Sequence, residues 1–197
     1  MSKLLYQGHG SYRIVTNEGI VIYVDPYIGD GYEMEADIVL VTHEHSDHNR
    51  VDLVKFKSDG VIIRNNNLKV GNNYYSTSIS GVGIEAVEAY NKNHNKANCV
   101  GFVITFDGIS LYASGDTSLT DDMKNKLPNY NLDYALLPTD GIYNMNVEEA
   151  ARCAKIIGAK KSIPIHTNPS MLFDESVALK FDVPNRLIIK PNDDIEL

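Results

Sequence analysis

The chain has 197 residues, 43% of them hydrophobic, and this length and apolar content predict one compact domain over residues 1–197 with a single sizeable core. Its 26 acidic and 18 basic residues give a formal net charge of −8. This balance opposes the electrostatic attraction to phosphate backbones on which non-specific nucleic-acid binders depend, so we expect no nucleic-acid partner.

The N-terminal residues turn polar before an apolar signal region can form, and no later apolar run is long enough to cross a bilayer. We therefore expect a soluble, cytoplasmic protein with no membrane partner.

The first half of the chain is predicted to be rich in strands. Residues 12–15 and 20–24 are β-rich runs separated by a polar turn, which predicts a hairpin that ends at Asp25 and Pro26. Further short apolar runs predict strands at 36–41, 61–63 and 84–87.

The second half repeats this pattern and adds a helix. Residues 147–157 are predicted to be helical, because Asn146 is a favourable N-cap and two glutamates lie in the first turn. Cys99 and Cys153 fall within predicted regular elements, which indicates buried free thiols rather than a disulfide framework. The predicted strands are 99–106, 109–113, 132–137 and 161–165.

Two segments of the first half resemble two segments of the second, at an offset of roughly 90 positions. Residues 18–25 are similar to 107–116, and residues 37–42 are similar to 133–139. Two similar β-rich halves, each with helical cover, would place two sheets face to face between helices, with the site along their shared edge. Chance similarity is the alternative explanation.

Four residues of metal-ligand type lie within six positions, directly after the predicted strand 36–41. They are His43, His45, Asp47 and His48. Imidazole and carboxylate ligands suit zinc, iron, manganese or cobalt, whereas structural zinc clusters and calcium sites need thiolate or all-oxygen ligands. A polar surface loop is the alternative, but the concentration of three of the six histidines at this point favours a metal site.

Three further candidate ligands come from elsewhere in the chain. Asp116 follows Gly115, whose conformational freedom lets the carboxylate turn back towards the site. His166 ends a predicted strand, and neighbouring strand ends can bring distant residues to one edge of a sheet. His94 lies in the polar loop 91–96, where an exposed histidine would need no further explanation.

The order and spacing of these residues resemble the metal motif of a known family. His43, His45, Asp47 and His48 match the pattern His-x-His-x-Asp-His of the metallo-β-lactamase superfamily, and a histidine, a Gly-Asp aspartate and a distant histidine follow in the same order. Within that superfamily the chain is most similar to small metal-dependent hydrolases related to ascorbate-6-phosphate lactonase, and more distantly to N-acylphosphatidylethanolamine phospholipase D. The resemblance implies an α/β (α+β) fold, the four-layer αββα sandwich. Segments that share it are Gly8-His9-Gly10, Val24-Asp25-Pro26, 89–91, 111–117, 135–138 and 163–166.

By that resemblance the site holds two divalent metal ions, zinc or manganese in the first place, and Asp116 bridges them. The two ions share a hydroxide that attacks the substrate, and Asp47 orients this hydroxide besides ligating a metal. A serine or cysteine nucleophile is then not required. The first ion would be held by His43, His45 and His94, and the second by Asp47, His48 and His166.

Three other residues are candidates for a role next to the substrate. His9 lies between two glycines, which suits either a substrate-facing donor or a partner to a ligand carboxylate, with a structural hydrogen bond as the alternative. Tyr143 and Asp140 follow a predicted strand, so either could line the cleft. The family more often has glycine at the position of Asp140 and threonine at that of Asn144, and this departure leaves the substrate open.

The expected activity is hydrolysis of a small ester, lactone or phosphodiester, and an anionic substrate is compatible because two cations would supply local positive charge. One alternative is an RNA or DNA phosphodiesterase, which would normally bring a basic arm. Another is a non-catalytic metal-binding protein, which would be expected to have lost ligands. A flavodiiron-like redox centre is disfavoured, because there a glutamate stands at the position of His45. Homo-oligomers are common among the proteins that the chain resembles.

Overall fold

The computed structural model describes residues 1–197, in which two six-stranded sheets pack face to face. The first sheet contains β1 (Lys3–Gly8), β2 (Ser11–Val15), β3 (Val21–Val24), β4 (Ala36–Val41), β5 (Phe56–Arg64) and β14 (Asp194–Glu196). The second contains β8 (Ser76–Ile79), β9 (Val82–Glu88), β10 (Val100–Phe106), β11 (Ile109–Ala113), β12 (Tyr134–Pro138) and β13 (Lys161–Ile165). A small pair consists of β6 (Lys69–Val70) and β7 (Asn73–Tyr74), and the α-helices are α1 (Asp121–Asn125), α2 (Val147–Ile157) and α3 (Glu175–Ala178).

The two sheets have the same topology. The first has the strand order β14-β1-β2-β3-β4-β5, and the second has the order β8-β9-β10-β11-β12-β13. In each sheet the first four strands in this order are antiparallel neighbours, and the last three run parallel to one another. This equivalence agrees with the internal similarity of the two halves of the sequence.

The central core lies between the two sheets. Side chains alternate between the faces of a strand, so Ile38 and Leu40 of β4 enter this core while Val39 and Val41 point to the outer face. Phe102 of β10 enters the core from the opposite sheet. Because both faces of β4 are buried, its sequence is a continuous apolar run rather than an alternating one.

The outer faces of the two sheets are covered unequally. Helix α2 covers the second sheet with an apolar face, and its N-terminus is capped by Asn146 Oδ1, which accepts from the backbone N–H of Glu149 over 2.9 Å. The outer face of the first sheet is covered by Tyr32 and Met34 of a loop and by a three-residue 3-10 helix, Val51–Leu53. The helical layer on this side, expected from the sequence, is thus reduced to one turn. None of the helices has the length and apolarity needed to span a membrane.

The strand directions bring polar residues to one edge. In the first sheet β1, β3 and β4 point the same way, and so do β9, β11, β12 and β13 in the second. Residues that follow the C-terminal ends of these strands therefore meet at one shared edge of the two packed sheets. They are His9, Asp25, His43, His94, Asp116, Asp140 and His166.

Candidate metal centre

All six histidines of the chain meet at this edge. Together with two aspartates they form three overlapping groups, and the candidate ligand atoms of each group lie within 4.8 Å of one another. The structure thus brings together all seven residues that the sequence predicts as metal ligands, with His9 beside them. The first group is His43, His45 and His94, the second group is His9, Asp47, His48 and His166, and a third group, His43, His48 and Asp116, overlaps both sides of the cluster.

The first group consists of three imidazole rings that face one another. The ring centroid of His43 lies 4.6 Å from that of His45 and 5.1 Å from that of His94. His43 and His94 are buried, whereas His45 is exposed at the cleft. Burial lowers the pKa of His43 to about 2, so its ring is neutral at pH 7, the form in which imidazole binds a cation.

Asp116 lies between the first group and the remaining ligands. Its Oδ2 atom is 3.2 Å from His94 Nε2 and 3.6 Å from His166 Nε2, and its Oδ1 atom is 3.3 Å from His48 Nε2. Asp47 completes the second group, since its Oδ2 atom is 3.7 Å from His166 Nε2. The Asp116 carboxylate thus faces rings of both groups.

Unpaired buried nitrogens indicate that the site fits cations. The Nε2 atom of His43 is buried without a hydrogen-bond partner, and those of His48 and His166 face only carboxylate oxygens of Asp47 and Asp116, at 3.3 to 3.8 Å. Leaving such an atom unpaired costs about 1–3 kcal/mol. A divalent cation would accept these lone pairs, and a set of imidazole nitrogens and carboxylate oxygens suits zinc or manganese. The cluster is therefore able to bind metal ions.

Charges within the cluster hold protons on two of the rings when no cation is bound. Burial lowers the pKa of His166, but the neighbouring carboxylates of Asp116 and Asp140 outweigh this effect and raise it to about 9. Burial also lowers the pKa of His48, but the carboxylates of Asp116 and Asp25 outweigh this effect and raise that pKa well above its usual range. Metal binding at these rings must therefore release protons.

Asp25 orients His48, a role that the sequence did not reveal. Its Oδ2 atom lies 2.8 Å from His48 Nδ1 and also accepts from the hydroxyl of Thr42 over 2.7 Å. The backbone N–H of Thr42 donates to Asp25 Oδ1 over 2.7 Å. With Nδ1 held in this way, Nε2 of His48 points into the cluster. The available signal was the position of Asp25 after β3, which is equivalent to that of Asp116 after β11.

His94 is fixed by its own loop rather than exposed on it. Asn91 Oδ1 accepts from the backbone N–H of His94 over 3.0 Å and lies 2.9 Å from His94 Nδ1. The residue is only 3% exposed. An asparagine three positions earlier thus turns the ring inward, and the alternative of an exposed surface histidine is wrong.

His9 lies behind Asp47. Its Nε2 atom is 3.1 Å from Asp47 Oδ2, and its ring centroid is 3.6 Å from that of His166. Burial raises the pKa of Asp47, but the facing rings of His166 and His9 outweigh this and lower it, so Asp47 is ionised and can only accept. His9 thus has the contact expected of a partner to a ligand carboxylate, although one of its ring nitrogens also lies within 4.8 Å of ligand atoms of Asp47, His48 and His166.

An open cleft of about 660 Å³ leads to the cluster. Tyr143 lines it and is 53% exposed, whereas the side chain of Asp140 is buried behind the wall. Of the two residues considered for the lining, only Tyr143 is part of it. No lysine or arginine contributes. The lining residues are Tyr27, Glu44, His45, Ser46, Asp47, Asn93, His94, Asp116 and Tyr143.

Two glycines let the backbone pass close to the site. Gly115 has φ +59°, and a Cβ atom on it would lie 2.8 Å from Thr42 Cβ, so both its conformation and its surroundings require glycine. This agrees with the sharp turn predicted before Asp116. A Cβ atom on Gly10 would lie 2.8 Å from His48 Cε1, so the chain can pass this ring only without a side chain.

Comparison with known proteins identifies the family. Residues 3–166 match the family model described as the beta-lactamase superfamily domain. The chain belongs to the metallo-β-lactamase superfamily. The "UPF0173 metal-dependent hydrolase" of Thermococcus onnurineus is 31% identical over the full length of both chains, and the protein of the same name from Methanoculleus marisnigri is 33% identical over 83% of this chain and 80% of its own.

Two solved structures are similar to this chain along most of its length. A protein of Parabacteroides distasonis is 31% identical, with a TM-score of 0.75 over 93% of this chain and 90% of its own. Igni18, a metallo hydrolase from Ignicoccus hospitalis, is 23% identical with a TM-score of 0.77 over 99% of this chain and 98% of its own, which shows the shared fold alone. The metallo-β-lactamase sandwich expected from the sequence is confirmed, with one of its two helical layers reduced to the 3-10 turn Val51–Leu53.

Proposed function

We propose that this member of the metallo-β-lactamase superfamily is a metal-dependent hydrolase that uses two divalent cations, zinc or manganese, to cleave a small ester, lactone or phosphodiester. The observation that carries the proposal is the position of Asp116, whose Oδ2 atom lies 3.2 Å from His94 Nε2 and whose Oδ1 atom lies 3.3 Å from His48 Nε2. One carboxylate thus faces a ring of each group. The names of the relatives, which state metal-dependent hydrolysis, support the same activity.

The candidate ligands would be divided between the two cations. His43, His45 and His94 would hold the first cation, Asp47, His48 and His166 the second, and Asp116 both. Two divalent cations held by these residues would lower the pKa of a bound water to about 7 and would polarise the substrate oxygen.

Asp47 is the residue best placed to handle protons next to the cleft. Its side chain is 31% exposed, it lines the cleft, and its pKa is lowered by His166 and His9 against the effect of burial. An ionised carboxylate at this point can accept a hydrogen bond from the attacking water and so orient it. His9 would hold Asp47 in this orientation, and Tyr143, which lines the same cleft, would contact the substrate.

The charge of the cleft favours a small substrate over a nucleic acid. Its lining contains Glu44, Asp47 and Asp116 and no basic side chain, and the protein as a whole carries a net charge of −8. A nuclease needs cationic side chains along the phosphate backbone, well beyond the reacting phosphate. An anionic group of a small substrate could be neutralised by the cations themselves.

A parallel substrate screen tests this proposal. Metal-loaded protein is offered lactones, aryl esters, bis-aryl phosphodiesters and structured RNA, with Asp116→Ala as the blank for contaminating activities. Asp121→Ala is the matched control, because this exposed carboxylate pairs only with Lys124 on the surface of α1. We expect hydrolysis of a small substrate that Asp116→Ala abolishes and Asp121→Ala retains. Cleavage of RNA alone, dependent on Asp116, would instead establish the nuclease alternative.

A further inference from the structure

Three side chains that are not proposed metal ligands connect a histidine of one group with a histidine of the other. His94 Nδ1 lies 2.9 Å from Asn91 Oδ1, and Asn91 Nδ2 donates to Asn144 Oδ1 over 3.1 Å. Asn144 Nδ2 donates to Asp140 Oδ2 over 2.9 Å, and this oxygen lies 3.2 Å from His166 Nδ1. We propose that Asn91, Asn144 and Asp140, here called the amide relay, are one positioning unit that sets the affinity for both ions. The proposal rests on the two-cation function proposed above.

The direction of the hydrogen bonds in the amide relay is fixed at both ends. Asn91 Oδ1 also accepts from the backbone N–H groups of Asn93 and His94, over 2.8 and 3.0 Å, so this amide cannot flip without losing both. At the other end the carboxylate of Asp140 can only accept, so Asn144 must turn its NH2 group towards it. His94 consequently faces the amide relay with a protonated Nδ1, and His166 Nδ1 lies 3.2 Å from the accepting carboxylate of Asp140.

This arrangement leaves the opposite nitrogen of each ring free for a cation. His94 Nε2 is 3.2 Å and His166 Nε2 is 3.6 Å from the same atom, Asp116 Oδ2. The amide relay thus sets one ring of each group relative to the proposed bridging carboxylate. Losing the hydrogen-bond partner of a metal-binding histidine typically lowers metal affinity by about 10–100-fold.

Burial makes the amide relay rigid and makes its middle residue, Asn144, a suitable residue to substitute. The side chain of Asp140 is fully buried and Asn144 is 8% exposed, so their polar groups depend on each other for partners. Asn144 makes no hydrogen bond to either histidine. Removing its amide leaves Asn91 Nδ2 with the Tyr143 carbonyl, over 3.1 Å, as its remaining acceptor and takes the amide donor from Asp140 Oδ2, so that both ring restraints loosen.

The same carboxylate also fixes the cleft wall. Asp140 Oδ1 accepts from the backbone N–H groups of Ile142 and Tyr143, each over 2.7 Å. Asn93 holds this wall from outside the amide relay, because its Nδ2 atom donates to the carbonyl groups of Ile142 and Tyr143 over 3.3 and 2.8 Å. Asn93→Ala is therefore a matched control that removes two hydrogen bonds from the same loop and leaves the amide relay intact.

The experiment measures the affinities for two zinc ions by competition with a chelator, in the wild-type protein, Asn144→Ala and Asn93→Ala, well below their unfolding temperatures. We expect Asn144→Ala to weaken both ions by at least about 10-fold, and Asn93→Ala to leave both unchanged. In zinc-loaded protein labelled with ¹⁵N at histidine, the Nδ1–H signals of His94 and His166 should both change in Asn144→Ala only.

The outcomes separate the amide relay from a merely structural role and from failure of the proposed function. Asp140→Asn, which keeps an oxygen for the loop but loses the acceptor between Asn144 and His166, should reproduce the loss if Asn144→Ala does not fold. A lower unfolding temperature with unchanged zinc affinities, or a weakening of one ion alone, would overturn the amide relay. Wild-type protein that binds fewer than two ions would contradict the proposed function instead.

Discussion

His9 Nε2 lies 3.1 Å from Asp47 Oδ2, and the His9 ring is buried against the ring of His166. Because the ionised carboxylate only accepts, His9 donates to it and fixes its orientation. His94 differs, since its Nδ1 atom is held by Asn91 while its Nε2 atom faces Asp116. Two histidines at the same site thus have different chemical positions, one behind a carboxylate and one with a nitrogen directed at the centre.

This difference predicts different effects of removing the two rings. We expect His94→Ala to weaken binding of one ion by about 10-fold or more, since it removes a proposed ligand. His9→Ala should retain both ions and lower turnover, because Asp47 loses its orienting donor. Metal analysis after dialysis and the rate of hydrolysis measure the two effects. Equal losses of metal in both variants would show that the third histidine of the first group is wrongly assigned.

A substitution at Gly10 tests whether His48 is a metal ligand. A methyl group there would lie 2.8 Å from His48 Cε1, and φ of Gly10 is not in the left-handed region, so the clash with the ring is the main effect. We expect Gly10→Ala to displace His48 and to weaken the ion that His48 holds. Gly19→Ala is the control, because it has φ +80° and open space, and it should lower stability without affecting metal binding. Unchanged metal affinity in Gly10→Ala would contradict the assignment of His48.

The two cysteines predict how the protein responds to thiol reagents and to alkaline pH. Burial raises the pKa of Cys99 and of Cys153 to about 12, so both thiols stay protonated in the folded protein at pH 8. We expect labelling by a thiol reagent to be at least about 100-fold slower than in urea-unfolded protein. Rapid labelling of the folded protein at pH 8 would contradict their burial.

The raised pKa values of the two thiols also predict how the free energy of unfolding changes with pH. Unfolded cysteine ionises near pH 9, whereas the buried thiols hold their protons to about 12, so the folded state binds more protons between these values. The free energy of unfolding should therefore be maintained below pH 9 and fall as the pH rises above it. Buried Tyr6 and Tyr112, whose pKa values are also raised by burial, act in the same direction. Urea titrations at several pH values measure the fall, and constant stability up to pH 11 would exclude it.

Elements with a strong local signal could be predicted from the sequence. The apolar run of β4, the hairpin turn before β11 and the Asn146 cap of α2 gave the bounds that the structure has. Strand β1 was not predicted, although it pairs with the adjacent β2. Strand β14 was not predicted either, because it has three residues and pairs only with β1 from the other end of the chain. Such long-range pairing leaves no local pattern.

In the candidate site, too, some residues could be predicted from the sequence and others could not. The ligand types and their spacing marked His43, His45, Asp47 and His48 from the sequence. The orienting roles of Asp25 and Thr42 at His48, and of Asn91 at His94, could not be assigned from the sequence, because they depend on hydrogen bonds that only the folded chain creates. The sequence thus indicated which groups bind a cation, and the structure adds what holds each group in place.

The most direct test of the two-cation account is the metal content of protein purified without chelators and reconstituted with zinc or manganese. We predict about two ions per chain, because one carboxylate faces rings of both ligand groups. Asp116→Ala should lose this stoichiometry and nearly all hydrolysis while its circular dichroism stays that of the wild type. A wild-type content below about half an ion per chain after reconstitution, or near-normal turnover by metal-loaded Asp116→Ala, would contradict the account.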